Sequence, residues 1–137
     1  AAHEVYVGVY YHRFEKYESA AARFATARAR YPETPLYGEA GCRMGLSLEG
    51  LGKNDQARIA YEGILNLPPE RFPKEPDLGL FERAWAYFRD PELLQYRTGE
   101  EFWKALARRR LKDLGSAGSP TAQAPQAQTG VAPPPAP

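Results

Sequence analysis

Few side chains in this sequence can do chemistry, and they do not converge. His3 and His12 are the two imidazoles. Nine residues apart on a helical segment, they lie on different faces. His3-Glu4 has no second histidine at zinc-protease spacing. The single cysteine, Cys42, excludes an internal disulfide framework and a thiolate-rich metal site. It has no histidine near it in sequence and reads as a small packing residue. No glycine-rich phosphate loop occurs. The carboxylates are scattered and mostly compensated, which suits a solvated face better than a catalytic pair. The expectation is a non-enzymatic chain with no catalytic residue, no cofactor and no metal. One basic run stands out, Arg108-Arg109-Arg110. It suits phosphate or anionic lipid. It also closes a helix that Glu100 and Glu101 open and Lys112 helps to end, which complements the helix dipole.

Charge gives no help to a polyanion-binding reading. The 137 residues carry 18 basic and 17 acidic side chains, a net charge of +1. Residues 1–67 hold eight of each sign, and residues 68–114 hold ten basic against nine acidic. Nucleic acid is therefore not an expected partner. No run of about 18 apolar residues is present, so no spanning helix is expected. No signal peptide is visible. With no initiator methionine, the chain reads as a mature or trimmed form.

The elements that would position these groups repeat once. Val7-Gly8-x-x-Tyr11, Ala20-x-x-x-Phe24 and Pro32 return as Met44-Gly45-x-x-Leu48, Ala57-x-x-x-Tyr61 and Pro69, every position offset by 37. This is the tetratricopeptide (TPR) pattern, one helix-turn-helix per copy. Gly8 with Ala20, and Gly45 with Ala57, would let paired helices approach closely. Tyr11, Phe24, Leu48 and Tyr61 would fill the space beyond. Pro32 and Pro69 end the second helix of each pair.

Apolar spacing predicts helices over His3–Phe14, Tyr17–Tyr31 and Tyr37–Leu51, then one running to about Leu67 with Asn54 or Asp55 as its cap. Residues 68–76 hold four prolines and predict an extended connector. Asp77 opens a further helix to Phe88, with Leu80, Phe81, Trp85 and Phe88 as its stripe. Thr98-Gly99-Glu100-Glu101 is a capping box for a helix to about Leu114. Its buried face is Phe102, Trp103, Leu106, Ala107 and Leu111. Residues 115–137 contain six prolines, six alanines and no charge, and read as a disordered tail of polyproline character. The expected fold is thus all-α: two TPR-like hairpins over 1–67, a proline-rich connector over 68–76, carboxyl-terminal capping helices over 77–114, and the tail.

The text around the repeat adds a resemblance. His3-Glu4-Val5-Tyr6-Val7-Gly8-Val9-Tyr10-Tyr11, with Tyr17-Glu18-Ser19-Ala20-Ala21-Ala22-Arg23-Phe24, resembles the carboxyl-terminal repeats of the BamD family. These are periplasmic lipoproteins of the bacterial outer-membrane protein assembly machine. Arg30-Tyr31-Pro32-Glu33-Thr34-Pro35-Leu36 looks like that family's connector. The resemblance spans residues 3–67. It implies a scaffold in outer-membrane β-barrel assembly whose partner is the periplasmic domains of BamA or another assembly subunit. It implies the periplasm of a Gram-negative bacterium, with membrane association only through a complex or through a lipid anchor absent from this sequence. The same connector occurs in the periplasmic TPR adaptor of the Tol-Pal system, a second reading. A third is a surface-binding module using Arg108 to Lys112 on anionic lipid or nucleic acid. Two repeats are fewer than the three or more that usually bury a continuous core, so the amino-terminal edge is expected to stack on further repeats or on a partner. In a TPR the first helix of each pair lines the concave face. The positions there that point away from Gly8 and Gly45 are Val5, Val9, His12, Arg13, Glu39, Cys42, Leu46 and Glu49, the expected partner contacts.

Overall fold

The computed structural model describes residues 2–76, 83 and 89–117. Among these the chain is all-helical, without strands. α1 spans Ala2–Arg13, α2 Tyr17–Arg30, α3 Leu36–Gly50, α4 Asn54–Leu65 and α5 Gly99–Ala117. Short 3₁₀ turns occupy Pro69–Arg71 and Pro91–Gln95. Each helix packs on the next in sequence, α1 on α3 as well, and α5 lies across both α3 and α4.

The boundaries follow local chemistry. The segment from Pro32 to Pro35 separates α2 from α3, and α3 starts directly after Pro35. Neither Asn54 nor Asp55 caps α4: Asn54 is already helical, and Lys53 precedes it without a side-chain cap bond. Thr98 does cap α5. Its hydroxyl accepts the Glu101 N–H at 3.1 Å. The Glu101 carboxylate accepts from that same hydroxyl, also at 3.1 Å, so the reciprocal half of the capping box is side chain to side chain. α5 runs on through Gly115 to Ala117, past the expected end at Leu114. Residues 115–117, expected to open the tail, are helical. Of the expected helix over 77–88 all but Arg83 lies outside the described residues, as does the expected tail from 118 onward.

The connector is not wholly extended. Proline at the start of Pro69–Arg71 suits a 3₁₀ turn, since its missing N–H would have no partner there. Phe72 then turns inward and is buried on Gly38, where an added Cβ would sit 2.3 Å from the ring. The Lys74 carbonyl accepts the Gly99 N–H at 3.2 Å. The connector thus fixes the start of α5 against α3.

Two buried clusters result. Val5, Ala20, Phe24, Ala27 and Ala40 form one, lined by Val9, Tyr11, Leu36 and Met44. Cys42, Ala57, Tyr61, Ile64, Phe72, Phe102, Trp103 and Leu106 belong to the other, larger one. The 37-residue offset is visible in the contacts. Phe24 packs on Gly8 as Tyr61 packs on Gly45. Of the four side chains expected to fill the space beyond the glycines, Phe24 and Tyr61 lie nearest an added Cβ at Gly8 and Gly45.

The turns repeat with the same offset. Glu15 and Lys16 donate their N–H groups to the carbonyls of His12 and Tyr11, at 2.9 and 2.8 Å. Gly52 and Lys53 donate to Glu49 and Leu48, both at 2.9 Å. Each pair is a Schellman closure, which needs a left-handed residue at its corner. Gly52 supplies it at φ 78°, whereas Glu15 is held at φ 61°. A non-glycine residue there is strained by about 1–2 kcal/mol. Glu15→Gly relieves that strain and gives back part of it through the unfolded chain's added freedom. The expected result is a net gain of about 0.5–1 kcal/mol, read as a melting temperature raised by a few degrees.

Candidate binding face

Several charged residues of α3 and α5 are tied to one another or to neighbours on their own helix. Arg110 on α5 forks onto Glu49 of α3, Nε to Oε2 at 3.0 Å and Nη2 to Oε1 at 2.6 Å. The Tyr61 hydroxyl of α4 donates to the same carboxylate. Asp113 holds the other side of Arg110 at 2.8 Å. Arg109 lies 3.5 Å from Asp90 and 3.6 Å from Asp113. A bidentate arginine fork of this kind fixes geometry as well as charge. It joins three helices whose contributing residues are up to 61 positions apart.

A second pair is deeper. Arg43 Nε donates to Glu39 Oε2 at 2.8 Å, and its guanidinium stacks over the Trp103 ring at 4.8 Å. Both charges are nearly removed from solvent. Burial of this kind is sustained only when each ion keeps its partner. On α1, the His12 ring approaches the buried Ser47 hydroxyl, Nδ1 to Oγ at 3.1 Å, and packs edge-on to Tyr17.

The candidates read from sequence therefore separate. Val5, Glu39 and Cys42 are buried within the chain and are corrected to core positions. α5 covers the side of α3 that carries Cys42, and Arg43 with Trp103 closes over Glu39. Glu49 and His12 are half-buried and engaged with Arg110 and Ser47. Val9 and Leu46 are half-buried against the two clusters. Arg13 is exposed at the end of α1. The structure brings the eight onto neighbouring helices without joining them into one open patch.

The exposed apolar feature lies elsewhere on α1. Tyr6, Tyr10 and Phe14 are 72%, 52% and 58% exposed. Tyr6 and Tyr10 are four residues apart on one side of α1, and Phe14 follows four further on, just past its end at Arg13. The rings of Tyr10 and Phe14 meet at 5.0 Å, and Tyr11 sets its ring edge-on to Tyr10 at 5.9 Å. Their counterparts 37 residues on are Arg43, Ser47 and Leu51. Of these Ser47 is fully buried, beneath the first hairpin. Tyrosines in place of the polar Arg43 and Ser47 at equivalent positions were the available sequence signal for this ridge.

Comparison with protein-family models, with curated proteins and with solved structures finds no match for this chain. No described helix is long and apolar enough to cross a membrane.

Two buried groups on the inner side of the face resist ionisation. Burial pushes the Cys42 thiol up, assisted by Glu39 and Glu49 against Arg43 and Arg110. Burial, then Cys42, then the Glu49 carboxylate, push the Tyr61 phenol up. Arg110 is held charged above its ordinary range, chiefly by its bond to Glu49. For the thiol and the phenol the sign is the same. Below their ordinary pKa values both folded and unfolded chains carry the proton. Above them the unfolded chain releases it and the folded chain does not, so stability falls as pH rises. Thermal melts between about pH 8 and 11 should show that fall. Cys42→Ala should remove the part that begins near the ordinary thiol range. An unchanged profile in Cys42→Ala would dissociate the effect from this site.

Proposed function

We propose that the chain is a non-enzymatic protein-binding scaffold built of TPR-like hairpins, working in outer-membrane β-barrel assembly as a BamD-like component. The observation that carries the reading is the 37-residue equivalence of the two hairpins. It extends from sequence to ring-on-glycine packing and to turn bonds, and stacked hairpins of this kind build surfaces for other polypeptides. The aromatic ridge of α1 supplies the anchor residues such a surface uses: tyrosines and a phenylalanine that bury large area at low entropic cost. The residue-level resemblance over 3–67 directs the choice of partner to BamA-type periplasmic domains, and of compartment to the periplasm beside the outer membrane.

The surface-binding alternative is weaker. Arg109 and Arg110 already pair with Asp90, Asp113 and Glu49, which leaves Arg108, exposed like Arg109, as the member of the run in no ion pair among the described residues.

Purified BamA-type periplasmic domains and the purified Tol-Pal partner proteins are the test ligands, titrated against the chain by calorimetry. Binding to the first, weakened at least about tenfold by Tyr6→Ser with Tyr10→Ser, is the expected result. Binding to the Tol-Pal proteins alone would move the chain to the other adaptor class. Binding to neither would remove the assembly reading.

A further inference from the structure

We propose that the Tyr6–Tyr10–Phe14 ridge is the contact of a weak two-fold dimer, in which α1 of one copy lies antiparallel on α1 of a second. The proposal stands apart from the scaffold reading, since it involves no other protein.

The repeat shows which side of α1 is open. Tyr10 is the counterpart of Ser47, and Ser47 is fully buried beside α1 of the preceding hairpin. The ridge is therefore the edge that carries a stacked neighbour in the second hairpin. Another hairpin does not fit it in the same way. Where α2 lies on α3, Gly41 and Gly50 admit Arg28 and Tyr17, at 3.2 and 2.5 Å from an added Cβ. Their counterparts on α1 are Glu4 and Arg13, long side chains where that close approach needs glycine. This leaves a contact along α1 itself, and a second α1 supplies it.

The ridge matches its own copy. Phe14 donates its N–H to the Tyr10 carbonyl at 3.3 Å, so its ring continues the helical spacing of the other two. An antiparallel pair centred on Tyr10 sets that ring against its own counterpart. It also brings each Tyr6 level with the second copy's Phe14. Arg13 is seven residues from Tyr6, and Val7 is seven from Phe14, so each pair shares a side of the helix. The two-fold then places Arg13 beside the second copy's Tyr6 ring, a cation–π arrangement, and Val7 beside its Phe14. With a net charge of +1 per chain, two copies scarcely repel. Area sets the strength. At about 200 Å² per ring, exposures of 72%, 52% and 58% leave about 350 Å² of aromatic surface open on each copy. Two copies bury about 700 Å² through these rings, below the ~1,200 Å² of a standard interface, which makes the dimer transient.

Sedimentation equilibrium of the full chain, from about 10 µM to about 1 mM, tests this. The weight-average mass should climb from one chain toward two over that range and not beyond. Tyr10→Glu sets two carboxylates face to face on the axis, and Tyr10→Lys two ammonium groups. Either variant alone should stay at one copy throughout. Tyr10 belongs to neither buried cluster, and Glu and Lys are good helix formers, so circular dichroism should be unchanged. An equimolar mixture of the two variants should recover the dimer, because opposite charges then meet across the axis. A wild-type chain that stays at one copy throughout overturns the proposal. Dimerisation that survives both single substitutions overturns it as well, as does a mass that passes two copies. A mixture that stays at one copy overturns the two-fold register. No other protein is present, so each result is independent of whether the scaffold reading holds.

Discussion

Trp103→Ala should lower the unfolding free energy by about 3–5 kcal/mol, a large fraction of what a domain of this size holds. Trp103 is 1% exposed. Phe102 packs against it edge-on at 5.0 Å, and the Arg43 guanidinium lies over its ring. Deleting the indole leaves a cavity between α3 and α5. It also strips the apolar cover from a buried ion pair, which then loses part of what excludes water around Glu39. Trp103→Phe should be much milder. The indole N–H is buried without an acceptor among the described residues, and phenylalanine removes that donor along with some volume. Urea titration of the three chains checks this. A Trp103→Phe loss as large as that of Trp103→Ala would mean the indole N–H has an acceptor in solution.

Gly45→Leu should be the most damaging exchange outside the α5 contact. A Cβ at Gly45 would sit 2.5 Å from the Tyr61 ring, and at Gly8 2.6 Å from the Phe24 ring. Both rings are buried. Overpacking of this kind costs about 1–3 kcal/mol and sometimes more. Gly45→Leu should sit at or above the upper end. Displacing Tyr61 also pulls its hydroxyl from Glu49 and loosens the Arg110 fork. Gly8→Leu lacks that second consequence and should cost less. Gly63, with nothing within 4 Å of an added Cβ, is the control: Gly63→Ala should gain about 0.5–1 kcal/mol. If Gly45→Leu melts with the wild type, the ring-on-glycine contact does not hold the second hairpin.

The hairpins were legible in the sequence because their signals are local. Small residues, aromatic rings and prolines recur within one turn-helix unit, and the buried face of α5 follows a simple helical stripe. The partner face was misread at Glu39, Cys42 and Val5 for a non-local reason. The sequence reading placed them by their angle to Gly8 and Gly45, which describes one contact of each helix. α3 has four helical neighbours among the described residues: α1, α2, α4 and an α5 that arrives some 60 residues later. No local pattern announces that Arg110 will meet Glu49. Glu49 was therefore read as an open charge, and reversing it would strike the fold rather than a complex. The capping of α4 failed for the opposite reason. Two good capping residues stand at its start, but the Schellman turn through Gly52 and Lys53 brings the chain into the helix one residue too early for either to serve.

The division of the interior into two clusters, with α3 as the wall between them, has a kinetic consequence. Val5, Ala20, Phe24, Ala27 and Ala40 are held by α1 and α2 against one side of α3. The larger cluster is stitched on its other side by α4, the connector and α5. A chain whose contacts run mainly from each helix to the next can open from its end without dissolving its middle. The first hairpin has the smaller cluster and lacks the bidentate arginine fork. Amide protons of α1 and α2 should therefore exchange through a partial opening that leaves α3, α4 and α5 closed. In that partly open molecule the outer side of α3, with Ala40 and Ser47, is bared to whatever polypeptide is near. The weakest part of the fold is thus also where it can trade an internal neighbour for an external one.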